Sequence, residues 1–243
     1  MIWPVILAAT LVTAFISGIF GMAGGLILMG VLALLLPVSA AMVTHGAIQS
    51  VANGWRAILW RRFIDWRVLG IYLGGSALAF ALLIGFAFEV SKPWLFILLG
   101  LVPALIWIPK QHLSLDARRP GHAVLCGFSV TGLNIVAGVS GPLLDIFFVA
   151  DGMDRRTIVA TKAATQVAAH AAKIAFYLAP ALAGGALAQW QWLLAAAPLA
   201  ILGTTLGARV LDLMSDANFR KYTKWIVTGV GLVYVIRGVI LLS

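Results

Sequence analysis

Apolar runs of membrane-crossing length follow one another from residue 3 to residue 242, and the connections between them are too short to hold a second domain. A bilayer crossing needs about 20 mostly apolar residues. Windows of that kind cover residues 3–36, 40–60, 68–88, 93–108, 122–150, 157–182, 190–211 and 222–242. Only 10% of the chain is charged and 62% is hydrophobic, whereas soluble domains carry about 25% charged residues. A soluble fold is excluded, and the longest polar connection, 110–121, falls far below the roughly 50 residues of a small domain. The expected fold is an all-α, polytopic transmembrane helical bundle whose function resides inside the membrane.

The first run has no basic residue before it and outruns the core of a signal peptide, so we expect it to stay in the mature protein. Seven of the nine tryptophans, Trp3, Trp60, Trp66, Trp94, Trp107, Trp190 and Trp225, fall at expected span ends, where an indole N–H reaches water while its ring lies in lipid.

Seventeen Lys and Arg against 8 Asp and Glu give a net charge of +9. The basic residues sit in short loops between apolar runs rather than along one polar face, which argues against a nucleic-acid partner and for the lipid bilayer. Cys126 is the sole cysteine and the 4 histidines are scattered, so no metal framework is expected. No Ser/His/Asp set, carboxylate pair or phosphate loop stands out. The sequence calls for no cofactor and gives no sign of an enzyme.

The chain repeats itself. His45, Gln49, Asn53 and Arg56 recur as Lys162, Gln166, His170 and Lys173, with the same spacing, 117 positions on. Each set follows a glycine-broken element, Gly18-Ile-Phe-Gly-Met-Ala-Gly-Gly25 in one half and Asn134-Ile-Val-Ala-Gly-Val-Ser-Gly141-Pro142 in the other. Each precedes a glycine-rich helix, with Gly70, Gly74 and Gly75 answered by Gly203 and Gly207. We expect two transmembrane repeats, residues 1–110 and 122–243, joined by a cytoplasmic linker, 111–121.

Charge placement orients them. In the first half the loop after the second element carries Arg61, Arg62 and Arg67. In the second half the equivalent loop near Gln189 is uncharged, and the flanking loops carry Arg155 and Arg156, then Arg220, Lys221 and Lys224. Lys and Arg are retained on the cytoplasmic side, so the reversal predicts inverted repeats. Inversion requires that each glycine-broken element be a hairpin of partial helices followed by three crossings. Residues 3–36 would span roughly 50 Å as one helix, against a hydrocarbon core of about 30 Å, and Gly24-Gly25 is the expected break. Eight plain crossings in a parallel duplication are the alternative.

On a helix each four-residue set lies within about 80° and forms one polar stripe. A Lys or Arg at the bilayer centre costs about 2.5–3.5 kcal/mol and usually faces a cavity or partner, so the stripes should face each other inside. Hydrogen-bonded helix glue is the plainer account of Gln49, Asn53 and Gln166. It suits Arg56 and Lys173 poorly. Lys162 has a candidate partner in Asp145, but one aspartate cannot neutralise Lys162, Lys173 and Arg56 together.

Buried positive charge with few carboxylates suits a small anionic substrate. Helix starts near Gly24, Gly25, Ser140 and Gly141 would add N–H groups pointing inward, and Pro142 suits a first helical turn. His45 and His170 alone within the spans titrate near neutrality when unperturbed, which leaves open a coupling proton or other ion. Oligomerisation is open too.

The order of Gly18-Ile-Phe-Gly21-Met-Ala-Gly24-Gly25, Arg61-Arg62-Phe-Ile-Asp65-Trp66 and Leu206-Gly207-Ala208-Arg209 resembles the sulfite exporter TauE/SafE family of membrane permeases over nearly the whole chain. The resemblance implies a multi-pass cell (inner) membrane protein that moves sulfite, sulfoacetate or another small organosulfur anion. The stripes and helix starts give the candidate substrate-binding set: Arg56, Lys173, Lys162, Gln49, Gln166, His45, Asn53, His170, Gly24, Gly25, Ser140 and Gly141. An integral-membrane enzyme acting on a lipid or quinone, or a non-transporting membrane subunit, are the alternatives.

Overall fold

A computed structural model describes residues 2–86, 88–108, 115–148, 153–185, 190–211, 213–214 and 216–243. Lys110, the start of the linker (111–114) and Gln189 lie outside the described residues. The first half contains α1 (Trp3–Phe20), α2 (Met22–Leu35), α3 (Val38–Leu59), α4 (Trp66–Ile84) and α5 (Lys92–Leu101). Pro103, which has no N–H to give, lies where α5 tightens into a 3₁₀ segment, Val102–Trp107. The second half contains α6 (Pro120–Ala137), α7 (Gly141–Phe147), α8 (Arg155–Ala183), α9 (Gln191–Leu211) and α10 (Asp216–Ile240). No strand occurs among the described residues, and five helices are long and apolar enough to cross a membrane.

Both expected breaks are present, and the first is displaced. The chain turns at Gly21, whose φ of 62° is open to glycine and costly for other residues, and not at Gly24-Gly25. Gly24 has a packing role: a Cβ there would lie 2.0 Å from the Thr13 carbonyl oxygen. Its bare backbone lets α2 fold back along α1. In the second half α6 ends at Gly138, with φ of 77°, and α7 starts at Gly141 with Pro142 in its first turn. Gly21 and Gly138 are themselves 117 positions apart.

The halves are interleaved. α1 packs along α9, α6 along α4, α3 along α8 and α5 along α10, and exchanging every helix for its counterpart maps this pattern onto itself. Lipid tails are as apolar as leucine, so helices in a bilayer associate through close packing rather than hydrophobic expulsion. Glycines supply it: a Cβ on Gly207 would lie 2.2 Å from the Phe15 carbonyl oxygen, and one on Gly75 2.1 Å from that of Val124. Gly70 and Gly74 have nothing within 4 Å of such a Cβ, so they take no part in this seam.

The two stripe-bearing helices cross in opposite directions. His45 meets Lys173, Gly46 meets Ile174 and Gly54 faces Val167, so numbers rise along α3 as they fall along α8. Beyond α3, the Asp65 N–H donates to Thr161 Oγ1 at 2.9 Å, while the Asp65 side chain caps α4.

The two ends of the bundle differ in charge. At one, Arg156 lies over Trp60 and Phe63, Lys224 lies over Trp107, and the Ala117 N–H donates to the Phe147 carbonyl. Arg61, Arg62, Arg67, Arg118 and Arg119 gather there, and the Arg118 guanidinium holds the Asp116 carboxyl below its usual range. At the other, Trp3 stacks on Trp192 and Phe88 meets Phe176, so the start of α1 and the start of α9 share an end. Trp3 is only 6% exposed, so it is packed against protein and not against lipid as the sequence suggested.

Candidate functional site

The stripes meet on a cavity of about 170 Å³ at the centre of the bundle. One water needs about 10–15 Å³ of such space, so the cavity has room for a small polyatomic ion. Its walls come from both breaks and both stripes, and the breaks touch: a Cβ on Gly141 would sit 2.6 Å from that of Met22. The lining runs from His45 and His170 at mid-helix to Arg56, Val159 and Leu211 near the basic end.

Ten of the twelve candidate residues line it: Arg56, Lys162, Gln49, Gln166, His45, Asn53, His170, Gly25, Ser140 and Gly141. Gly24 does not, being pressed against α1. Lys173 does not either. It is 0% exposed, and its Nζ lies 2.7 Å from the Gly138 carbonyl oxygen and 2.8 Å from His45 Nδ1. His45 Nε2 lies 2.9 Å from the Gly25 carbonyl oxygen, which can only accept. In neutral His45 the proton therefore sits on Nε2, and Nδ1 accepts from Lys173. One histidine and one lysine thus join the two breaks.

The cations on the wall are not equivalent. Lys162 is paired with Asp145 of α7, as the lone acid deep in an apolar run suggested. Arg56 does not reach back toward Trp60. Its Nη2 donates to the Ser17 carbonyl at 3.1 Å and its Nη1 to Asn53 Oδ1 at 3.4 Å, so both contacts are neutral. Two donors on the wall, Gln166 Nε2 and Ser140 Oγ, have no protein partner, and Ser140 is 1% exposed. Buried polar groups are nearly always hydrogen-bonded, so unpaired donors in residues that line the cavity are suited to an acceptor-rich guest. The wall also carries Ile19, Leu26, Val139 and Leu144.

Sequence reading missed Ser17, the carbonyl partner of Arg56, and Asn134, whose Nδ2 lies 3.3 Å from His170 Nδ1. Ser17 and Asn134 stand 117 positions apart, so the displacement that revealed the stripes would have found them. Among the described residues no group of three or more His, Cys, Asp or Glu is placed to hold a metal ion.

A multi-pass bundle, helical throughout its described regular structure, with a cavity of mixed polar and apolar lining between interleaved halves has the architecture of a membrane permease. The chain matches the family model described as Sulfite exporter TauE/SafE over residues 6–234, and it belongs to that family of membrane transporters rather than to an enzyme family. No curated protein and no solved structure matches it.

Proposed function

We propose that the protein is a secondary transporter, working as an exporter, of a small organosulfur anion such as sulfite or sulfoacetate. The anion binds in the central cavity and crosses by alternating access between two inverted halves in the cell inner membrane. Arg56 is its principal charge partner, with Gln166, Ser140, Gln49 and Asn53 as neutral donors. The observation that carries this reading is the makeup of the wall: unpaired donors and a neutrally partnered Arg56, with Asp145 already engaged by Lys162. The first turn of α2, which begins at Met22, lies on the wall and adds backbone N–H groups there. α7 has only 7 residues, so its share comes from Ser140 rather than from a helix dipole.

The apolar part of the wall favours an anion with a short carbon chain over bare sulfite. The antiparallel crossing of α3 and α8 supports inversion, because these two helices carry the repeated stripe. Gathering of the basic loops at one end supports a cytoplasmic position for that end. The test is flux into sealed proteoliposomes across a panel of sulfite, sulfonates, sulfate and chloride, with Arg56→Ala alongside. We expect sulfonate or sulfite flux that the variant loses; equal flux in both proteins would remove Arg56 from the pathway.

A further inference from the structure

Arg56 and Lys173 are the same position in the two repeats, 117 residues apart, and each donates to a carbonyl at its own half's break: Arg56 to Ser17, Lys173 to Gly138. Their surroundings differ. Arg56 lines the cavity, while Lys173 is 0% exposed. The aromatic residue four positions on from each repeats the contrast. Trp60 is partly exposed beside Phe63, whereas Tyr177, its counterpart 117 positions on, is fully buried. Tyr177 packs on Phe176, which packs on Phe88, and its hydroxyl donates to the Ile135 carbonyl at 3.0 Å. The first half is therefore arranged around an open cavity and the second, at the matching place, around a seal.

We infer that Lys173 is the second anion-contacting cation, taking over from Arg56 when the pathway opens to the end remote from the arginine-rich loops. Two similar halves related by an antiparallel crossing can exchange arrangements, so that the half now sealed becomes the half now open. In that exchange Tyr177, Phe176 and Phe88 part, Lys173 leaves the Gly138 carbonyl for the cavity, and Arg56 becomes enclosed. Lys162 is not the partner in this exchange, because it faces the present cavity and is held by Asp145.

This inference rests on the transport reading above, and the experiment separates the two. Wild-type protein in sealed proteoliposomes is treated from outside with a membrane-impermeant amine-reactive ester, with and without an outward sulfonate gradient. Labelled lysines are then located by peptide mass mapping. Exposed Lys221 marks the basic end and Lys92 the opposite end, which fixes orientation within each sample. We expect Lys173 to gain label together with Lys92 and never with Lys221 alone, and the gradient to change the yield. Lys173→Cys and Arg56→Cys in a Cys126→Ala background repeat the test with an impermeant thiol reagent, Arg56→Cys reacting from the basic end. Lys173 that stays unlabelled while sulfonate flux proceeds, or that labels only from the basic end, overturns the inference and leaves the transport reading standing. Label at Lys173 without flux of any anion would retain the exchange of access between the halves but remove the transport reading, and with it the contact of Lys173 with an anion.

Discussion

Lys162 of α8 and Asp145 of α7 form an ion pair in the wall of the central cavity, and this pairing leaves Arg56, with neutral contacts alone, to meet an anion. Asp145→Asn keeps an acceptor for Lys162 and removes a negative charge from the wall. A unit charge several Å away is worth about 1–2 kcal/mol at an effective dielectric constant near 20. Anion affinity should therefore rise by roughly tenfold, and more for a dianion than for a monoanion. Competition of sulfate against a monovalent sulfonate in flux assays measures the difference; unchanged selectivity would take Asp145 out of the account.

Arg56→Lys retains the charge and loses the planar fork that reaches the Ser17 carbonyl and Asn53 together. Flux should fall between that of wild type and that of Arg56→Ala. The loss should appear mainly in apparent affinity if Arg56 holds the anion, and mainly in turnover if it only braces the break.

Gly24 and Gly70 answer different questions about glycine. A methyl on Gly24 collides with backbone of α1, while one on Gly70 meets nothing within 4 Å. Gly24→Ala should cost about 1–3 kcal/mol, and Gly70→Ala less than about 0.5 kcal/mol. Thermal unfolding in detergent reads both.

At Gly21 the space around a Cβ is empty, so the cost of Gly21→Ala comes from the backbone, about 1–3 kcal/mol. Gly138→Ala should cost more, because its Cβ would also lie 3.1 Å from the sulfurs of Met29 and Met42. Equal unfolding temperatures for the two variants would contradict this ordering.

Reporter tags at the N-terminus and near Gln189 should emerge on the same side of the membrane, away from Arg61 and Arg62. The stacking of Trp3 on Trp192 ties the start of α1 to the start of α9. A further tag in the Arg61–Arg62 loop that emerged on the same side as the N-terminal one would restore the parallel duplication, which places two crossings between them.

The all-α bundle and the facing stripes were legible because helical period and 117-residue displacement act on polar residues that stand out against an apolar background. The Lys162–Asp145 pair was legible for the same reason, a lone acid among apolar residues. The first break was misplaced because a glycine needed for positive φ and a glycine needed for close packing look identical in sequence. Gly21 is the first kind and Gly24 the second. The enclosure of Lys173 was not legible at all, since its partners are a carbonyl and a histidine 128 positions away.

The interleaving of the halves bears on how the molecule is put together during synthesis. With α1 seated on α9 and α6 on α4, the first five helices leave the ribosome without the surfaces they will finally clasp, and Gly75 opens onto acyl chains until α6 arrives. The covalent connection around residues 109–114 is then a minor bond between two parts already laced together. A gene severed there and expressed as two pieces should still yield a working permease, whereas either piece alone should be cleared by membrane proteases.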